Sequence, residues 1–269
     1  MSERTKLSEQ IEREVVATPE VAKSEATRSA GLANQIEKSR GKGKSYLMDL
    51  RIHSPASLGY ISVAGIDAAP AMVRLAKVKG LDLIAVTDFY TGEFIDRVVE
   101  PANEAGLTVI PGTAIRCKLG VCDDLVLTCL FPESFRSSDI QSFLNELGVP
   151  PSTKGDRRFL VKRSFVDVLA AIEKRNGIAL PSRVDKTPLR RSAIPLLVEQ
   201  FGFRAFDLAY PDTAQYFKKH WPKTKFQLFC FSNANALAQV GSRMARVKLP
   251  EGGFDGLRGL VSREGLVTP

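Results

Sequence analysis

The chain has no apolar run of the about 18 residues that a membrane span requires, and its N-terminus lacks the apolar segment of a signal peptide. The four cysteines show no C-x-x-C spacing, so we expect reduced thiols that mostly lie in the core. These absences predict a cytoplasmic protein with no membrane partner. Familiar catalytic signatures are also missing: there is no G-x-S-x-G, no H-E-x-x-H, no Walker A sequence and no Rossmann glycine fingerprint.

Positive charge is present in excess and is concentrated in one segment. The net charge is +8, and between Lys154 and Arg191 eleven Lys and Arg residues stand against four acids. Such a segment predicts an anionic partner, either nucleic acid or another polyanion. The candidate anion-binding residues of its first part are Arg157, Arg158, Lys162 and Arg163. A solvated basic surface is the alternative, and it explains the same charges equally well.

The chain divides into a polar N-terminal extension and one larger domain. Residues 1–44 have low hydrophobicity and no aromatic residue, which predicts a disordered or loosely helical segment. Residues 45–269 alternate apolar strands with amphipathic helices, the pattern of a parallel α/β fold. Within this pattern Ser164 is a candidate helix N-cap, and residues 233–240 are predicted to form a helix.

The first strand of this domain ends in polar residues that bear on function. Asp49, Arg51 and His53 alternate with Leu50 and Ile52, so at the period of a strand they share one face. An α/β barrel places its chemistry at the C-terminal ends of its strands. The alternative is a strand end whose polar side chains satisfy one another.

The same stretch carries a family resemblance. Asp49-Leu50-Arg51-Ile52-His53-Ser54, followed by Ser57-Leu58-Gly59, resembles the D-L-H-x-H-S and S-D-G of the PHP (polymerase and histidinol phosphatase) family. Four later segments, which end near Phe89, Ala114, Asp185 and Asn235, resemble further PHP motifs in the family's order. The resemblance implies a distorted (β/α)7 TIM-like barrel of the PHP type.

Metal ligands of the family are replaced in nearly every matching segment. PHP proteins bind up to three metal ions through His, Asp and Glu side chains. At ligand positions this sequence has Arg51, Phe89, Ala114, Arg183, Asn233 and Asn235. Phenylalanine and alanine offer no donor atom and arginine stays protonated, and His53 is the one histidine left. The resemblance therefore implies a vestigial site, formed with Asp49 and Asp88, that holds no metal, cofactor or catalytic residue.

The two arginines of this vestigial site have two interpretations. Arg51 and Arg183 are expected to pair with Asp49 or Asp88, because a lone buried charge is strongly destabilising. Alternatively, their guanidinium groups bind a phosphate.

Three functions follow from the resemblance and the charges. The first is a catalytically degenerate PHP protein, a pseudo-phosphoesterase that acts as a binding, scaffold or regulatory subunit with nucleic acid or a protein as its partner. The second is a residual metal-dependent phosphoesterase, with one metal held by His53 and an aspartate. The third is a phosphate-ligand sensor that uses Arg51 and Arg183.

Overall fold

The computed structural model of the protein describes residues 43–261 and residue 263. The predicted N-terminal extension, residues 1–44, lies outside the described residues except for its last two. The described strands are β1 (Lys44–Ile52), β2 (Leu83–Val86), β3 (Thr108–Leu119), β4 (Cys122–Leu130), β5 (Ile178–Ser182), β6 (Ala205–Asp207), β7 (Gln227–Phe229) and β8 (Ala245–Leu249). The described helices are α1 (Ala68–Val78), α2 (Ile95–Glu104), α3 (Ser137–Glu146), α4 (Phe165–Glu173), α5 (Pro188–Arg191), α6 (Ile194–Glu199), α7 (Ala214–His220) and α8 (Gly253–Val261).

The eight strands form one sheet that curls into a nearly closed barrel. Their order is β7-β6-β5-β4-β3-β2-β1-β8. The far edge of β1 is shared: β8 runs antiparallel along its first half, and a parallel bridge from Ile52 to Ala234 attaches the segment that follows β7. This bridge is fixed by two hydrogen bonds, from His53 N–H to the Ala234 carbonyl (2.9 Å) and from Ala234 N–H to the Arg51 carbonyl (3.2 Å). The predicted TIM-like α/β barrel is therefore confirmed.

Strand β4 departs from the expected parallel arrangement. It runs antiparallel to both β3 and β5. Only Gly120 and Val121 separate β3 from β4, whereas a parallel connection needs a crossover of about a dozen residues. Gly120 adopts a φ of 56°, which glycine tolerates without strain. The short connection therefore enforces a hairpin, and this hairpin accounts for part of the distortion of the barrel.

Two separate layers of apolar side chains fill the domain. The inner layer, inside the barrel, contains Leu50, Leu130 and Leu180, together with Leu257 of α8. The outer layer packs the helices against the outside of the strands. Because the inner layer is fully buried, the barrel interior is closed beneath the carboxyl ends of its parallel strands, and we call that end the barrel mouth.

Local signals of the sequence are reproduced in part. The Ser164 side chain accepts a hydrogen bond from the Asp167 N–H and caps α4, as predicted. The predicted helix over residues 233–240 is wrong: only Leu237–Gln239 forms a 3₁₀ turn. Ala234 is drawn into the bridge with β1, so the chain is extended where that helix was expected to begin. No helix among the described residues is both long and apolar enough to cross a membrane.

Candidate functional site

The end of β1 presents Arg51 and His53, but not Asp49, to the barrel mouth. The pairing of β1 with β2 shifts register between Asp49 and Ile52. A bulge of this kind reverses the alternation of side chains, so Ile52 packs in the outer layer although Leu50 lies in the inner one. The predicted single face for all three polar residues is therefore wrong. The Asp49 carboxylate instead accepts hydrogen bonds from the N–H groups of Ser232 (3.2 Å) and Gly241 (3.1 Å).

Arg51 is the most deeply placed cation of the barrel mouth, with 3% of its surface exposed. Its Nε donates to Asn233 Oδ1 (2.7 Å), and its Nη1 donates to Thr128 Oγ1 (3.3 Å). The acid nearest to it is Asp207, whose Oδ2 lies 3.8 Å from Nη1. The expected pairing with Asp49 or Asp88 is wrong, because Arg51 points inward beyond the bulge and meets the end of β6.

The Arg51–Asp207 pair is incomplete as well as buried. Asp207 Oδ2 has no hydrogen-bond partner among the described residues. Burial raises the pKa of Asp207 to about 6, although the charge of Arg51 acts in the opposite direction. Burial also lowers the pKa of Arg51 to about 10. Each group is thus less well stabilised in its charged form than it would be in water.

Asp88 fixes the loop that follows β1. Its carboxylate accepts hydrogen bonds from the Ser54 N–H (2.7 Å), the Ser54 hydroxyl (2.5 Å) and the Ser57 hydroxyl (2.5 Å). Burial raises the pKa of Asp88, and the two serines lower it. Both carboxylate oxygens are therefore already committed to this loop.

His53 is an uncharged component of the mouth at neutral pH. Its ring stacks on Phe89, with 5.8 Å between ring centroids and 14° between planes. Burial, and then the charge of Arg51, lowers the pKa of His53 to about 3. Phe89 itself bridges to Ala114 of β3, so two of the positions that the resemblance matches to metal ligands are adjacent and apolar.

Arg183 and Asn233 hold backbone conformations that residues with side chains rarely adopt. Both have a φ of 50°. The N–H of Arg183 donates to the Asp207 carbonyl (2.6 Å), which ties β5 to the end of β6. A non-glycine residue in this region costs about 1–3 kcal/mol, and such residues are frequent at functional sites. Among the described residues, no hydrogen-bond or salt-bridge partner is found for the Arg183 side chain, so the predicted pair with Asp49 or Asp88 is absent.

These elements surround a cavity of about 550 Å³ at the barrel mouth, which we call the basic cavity. Its cationic lining residues are Arg51, Arg116, Arg157, Arg158, Arg183, Lys186 and Arg190. No Asp or Glu lines it among the residues that the structure describes. His53, Phe89, Asn233 and Asn235 contribute the uncharged part of the wall, together with the loop after β1.

Three acids neutralise the basic cavity only in part. Arg116 and Arg190 share Asp124, at 2.9 Å each. Arg158 pairs with Asp156 at 2.8 Å, and Arg51 has the distant Asp207. Seven cations therefore meet three acids, and a cavity with such a surplus attracts anions.

The cavity combines predicted and unpredicted residues. Of the predicted anion-binding residues it contains Arg51, Arg183, Arg157 and Arg158, whereas Lys162 and Arg163 are exposed and lie outside it. Sequence reasoning did not single out Arg116, Lys186 and Arg190. Lys186 and Arg190 belong to the basic segment of residues 154–191, so the charge density of that segment could have identified them. No pattern in the sequence distinguishes Arg116 on β3.

The residues present do not fit a cluster of metal ions. Within residues 43–261 and residue 263, no group of three or more His, Cys, Asp or Glu side chains is placed to hold a metal ion. His53 and Asp88 are 4.0 Å apart, but Asp88 is saturated by serine donors and Phe89 covers the histidine ring. The guanidinium of Arg51 adds a fixed positive charge where a metal cation would need anionic ligands.

Solved structures share the fold at low sequence identity. No family model matches the sequence, and no curated protein matches it either. The lesion-specific endonuclease EndoQ of Pyrococcus furiosus is similar with a TM-score of 0.60 and 17% identity over 82% of this chain. This chain spans 57% of the length of that endonuclease.

Two further structures describe ligands of the similar proteins. An endonuclease Q in complex with a 27-mer duplex carrying an abasic lesion at its active site has a TM-score of 0.56 and 15% identity, over 82% of this chain and 58% of that chain. An amidohydrolase of Chromobacterium violaceum, with bound sulfate and no metal, has a TM-score of 0.55 and 13% identity, over 80% of this chain and 97% of that one. At these identities the likeness establishes the barrel fold alone.

The first prediction concerns Gly155, which joins the loop of Arg157 and Arg158 to the barrel mouth. Its carbonyl accepts from the Leu58 N–H (3.1 Å), and its N–H donates to the Phe89 carbonyl (2.8 Å). A Cβ at this position would collide with the carbonyl oxygen of Ala56. We expect Gly155→Ala to lower the free energy of unfolding by about 1–3 kcal/mol more than a glycine-to-alanine change without a collision.

The control is Gly148→Ala. Gly148 has a φ of 71°, against 72° for Gly155, and a Cβ there would meet no atom within 4 Å. In this variant the free energy of unfolding should fall by about 1–2 kcal/mol, because only the left-handed backbone conformation is unfavourable for alanine. Urea titration of both variants measures the difference, and equal losses would mean that the contact with Ala56 is unimportant.

The second prediction uses the burial of His53. The pKa of His53 is lowered to about 3 in the folded protein, against an ordinary value of 6.5. The stability it contributes is therefore full above pH 6.5 and is lost progressively as the pH falls toward 3. Relative to His53→Gln, the wild type should lose about 2 kcal/mol of unfolding free energy between pH 7 and pH 5.

Urea titrations of both proteins at the two pH values test this. His220→Gln is the control, because His220 is exposed on α7 and solvent reaches its ring whether or not the chain is folded. A difference between wild type and His53→Gln that does not change with pH would show that His53 has the same pKa in the folded and unfolded chain, and would contradict the prediction.

Proposed function

We propose that this protein is a degenerate PHP-type barrel that binds the phosphates of nucleic acid in its basic cavity and does not catalyse metal-dependent hydrolysis. The observation that carries the proposal is the excess of seven lining cations over three paired acids. In this role the protein is a binding, scaffold or regulatory subunit of the cytoplasm, with nucleic acid or a protein as its partner.

The altered ligand positions support a binding role. Arg51 and Arg183 place guanidinium groups at the barrel mouth, where they form charge-assisted hydrogen bonds with phosphate oxygens. Phe89 and Ala114 offer no donor atoms that a metal would need, and their backbones pair in a parallel bridge. The site is therefore organised around fixed cations that belong to the chain itself.

Two observations favour nucleic acid as the anionic partner. Arg157 and Arg158 stand exposed at the rim of the cavity, where they can follow a chain of phosphates beyond the cavity. A duplex is the ligand of the similar endonuclease Q, and a sulfate is bound by the similar amidohydrolase. The fold thus accommodates both kinds of anion in other proteins.

The third prediction is salt-sensitive binding that depends on the cavity. Binding of a fluorescent duplex DNA should weaken between about 50 and 200 mM salt, with a slope in log affinity of about 0.9 per phosphate contacted. The double variant Arg157→Ala/Arg158→Ala should bind more weakly, with a shallower slope. Fluorescence anisotropy at several salt concentrations measures both quantities.

The matched control is Lys162→Ala/Arg163→Ala. These cations belong to the same basic segment and are exposed, but they lie outside the cavity. Their removal changes the net charge by the same amount as the first double variant. If both pairs reduce the affinity equally, net charge governs binding and the cavity has no special role.

The fourth prediction concerns metal content. Purified protein should contain no stoichiometric zinc, iron or manganese, and it should not hydrolyse phosphomonoesters or DNA when these ions are added. The reason is the donor set, since His53 is covered by Phe89 and Asp88 is bound by Ser54 and Ser57. Elemental analysis showing one equivalent of such a metal would favour the rival function, a residual metal-dependent phosphoesterase.

A further inference from the structure

The basic cavity is open at the barrel mouth and closed at its inner end. Its floor is the Arg51 guanidinium, held by Thr128 and Asn233. Beneath this floor Leu130 and Leu180 belong to the fully buried inner layer. A ligand that enters must therefore leave by the same opening.

The floor and one wall hold donors without a partner. Arg51 uses Nε and Nη1 in hydrogen bonds, and no partner is found for its Nη2 among the described residues. The guanidinium of Arg183 likewise forms no hydrogen bond within the described part of the chain, although its charge acts on Asp207, and it is carried on a backbone with a φ of 50°. Both side chains line the same cavity, so two planar donor groups are available to one ligand.

The rim of the cavity is apolar on the side of the loop after β1. Leu58 is 62% exposed and Ile61 is 64% exposed, and both line the cavity. Their backbone is nevertheless fixed, since the Leu58 N–H donates to the Gly155 carbonyl (3.1 Å) and the Ile61 N–H donates to the Asn235 carbonyl (2.8 Å). A fixed apolar rim suits a flat, weakly polar group such as a nucleobase.

From these features we infer that the basic cavity recognises a terminal phosphate monoester, presented by the end of a nucleic-acid strand, in preference to an internal phosphodiester. This inference rests on the proposed function and specifies the ligand of the same site. An internal phosphate is linked to a sugar on both sides, which leaves it two free oxygens and one negative charge. A terminal phosphate has three free oxygens and two charges, and these match the two guanidinium groups of Arg51 and Arg183.

The volume of the cavity and the cations at its rim also agree with binding of the end of a nucleic-acid strand. A volume of about 550 Å³ lies within the range of small-molecule pockets and suits a single nucleotide. The terminal base would lie against Leu58 and Ile61, and the exposed Arg157 and Arg158 would contact the next phosphates. A free nucleotide carries the same phosphate monoester, and only the contacts outside the cavity distinguish it from a strand end.

The experiment compares single-stranded DNA oligonucleotides of one sequence, each labelled internally, in binding to the full-length protein. The probes carry a 5′-phosphate, a 3′-phosphate or two hydroxyl ends, and a fourth probe is circular. We expect one of the phosphorylated probes to bind about tenfold or more tightly than the hydroxyl-ended and circular probes. Unlabelled nucleoside monophosphate serves as competitor, to show whether a free nucleotide suffices.

Variants of the protein distinguish recognition of a phosphorylated strand end from general electrostatic attraction of DNA. Arg183→Ala should abolish the preference for a phosphorylated end, and Arg183→Lys should do so in part, because it keeps the charge and loses the planar group. Arg157→Ala/Arg158→Ala should weaken all four probes by a similar factor. Since no described residue pairs with the Arg183 side chain, both Arg183 variants are expected to fold, and circular dichroism checks this.

Each outcome bears on one of the two proposals. Equal binding of all four probes would overturn the inference of a terminal phosphate while leaving nucleic-acid binding intact. Binding of the monophosphate alone, with no oligonucleotide bound, would overturn nucleic-acid binding and would assign the same phosphate site to a free nucleotide. Absence of binding by every probe and by the monophosphate would overturn both.

Discussion

The buried guanidinium of Arg51 is the constraint on which the barrel mouth depends. A charge with 3% exposure must be compensated, because an isolated buried charge would destabilise the fold strongly. The barrel supplies Asn233 and Thr128 as hydrogen-bond acceptors, and Asp207 as a counter-charge at 3.8 Å. The raised pKa of Asp207 and the lowered pKa of Arg51 show that this compensation is incomplete. The proposed binding of an anion in the cavity above Arg51 would supply part of the missing compensation.

The backbone at the barrel mouth is irregular around Arg51. The register shift in β1 turns Arg51 inward and leaves Asp49 to accept N–H groups at the strand edge. Positive φ angles at Arg183 and Asn233 place a guanidinium and an amide beside Arg51. These features are each unfavourable for the backbone alone, and together they bring residues from β1, β5 and the segment after β7 to one cavity.

The sequence predicts the barrel better than it predicts the contacts at its mouth. The alternation of strands and helices gives the α/β class, and the resemblance identifies the positions of Arg51, Phe89 and Arg183. Asp207 could not be singled out, since it lies in an apolar strand with no polar pattern around it. The register shift was equally hidden, because a bulge changes which face a residue occupies without changing the apparent alternation. Charge density along the chain also fails to separate Arg157 from Lys162, because only the fold determines which cations face one cavity.

Of the two interpretations of the arginines, internal pairing describes Arg51 in part, through Asp207, and anion binding stays a proposal for both residues. Arg51 is held by two neutral acceptors and one distant acid, and its Nη2 has no hydrogen-bond partner among the described residues. Arg183 occupies a strained backbone position and forms no hydrogen bond or salt bridge with its side chain among the described residues, although its charge lowers the pKa of Asp207. A buried cation at the floor raises the electrostatic potential of the cavity, and the second cation, on the wall, is the donor that the proposed phosphate binding requires. In the proposed function, fixed cations of the chain therefore hold the kind of anion that a metal ion would otherwise bind.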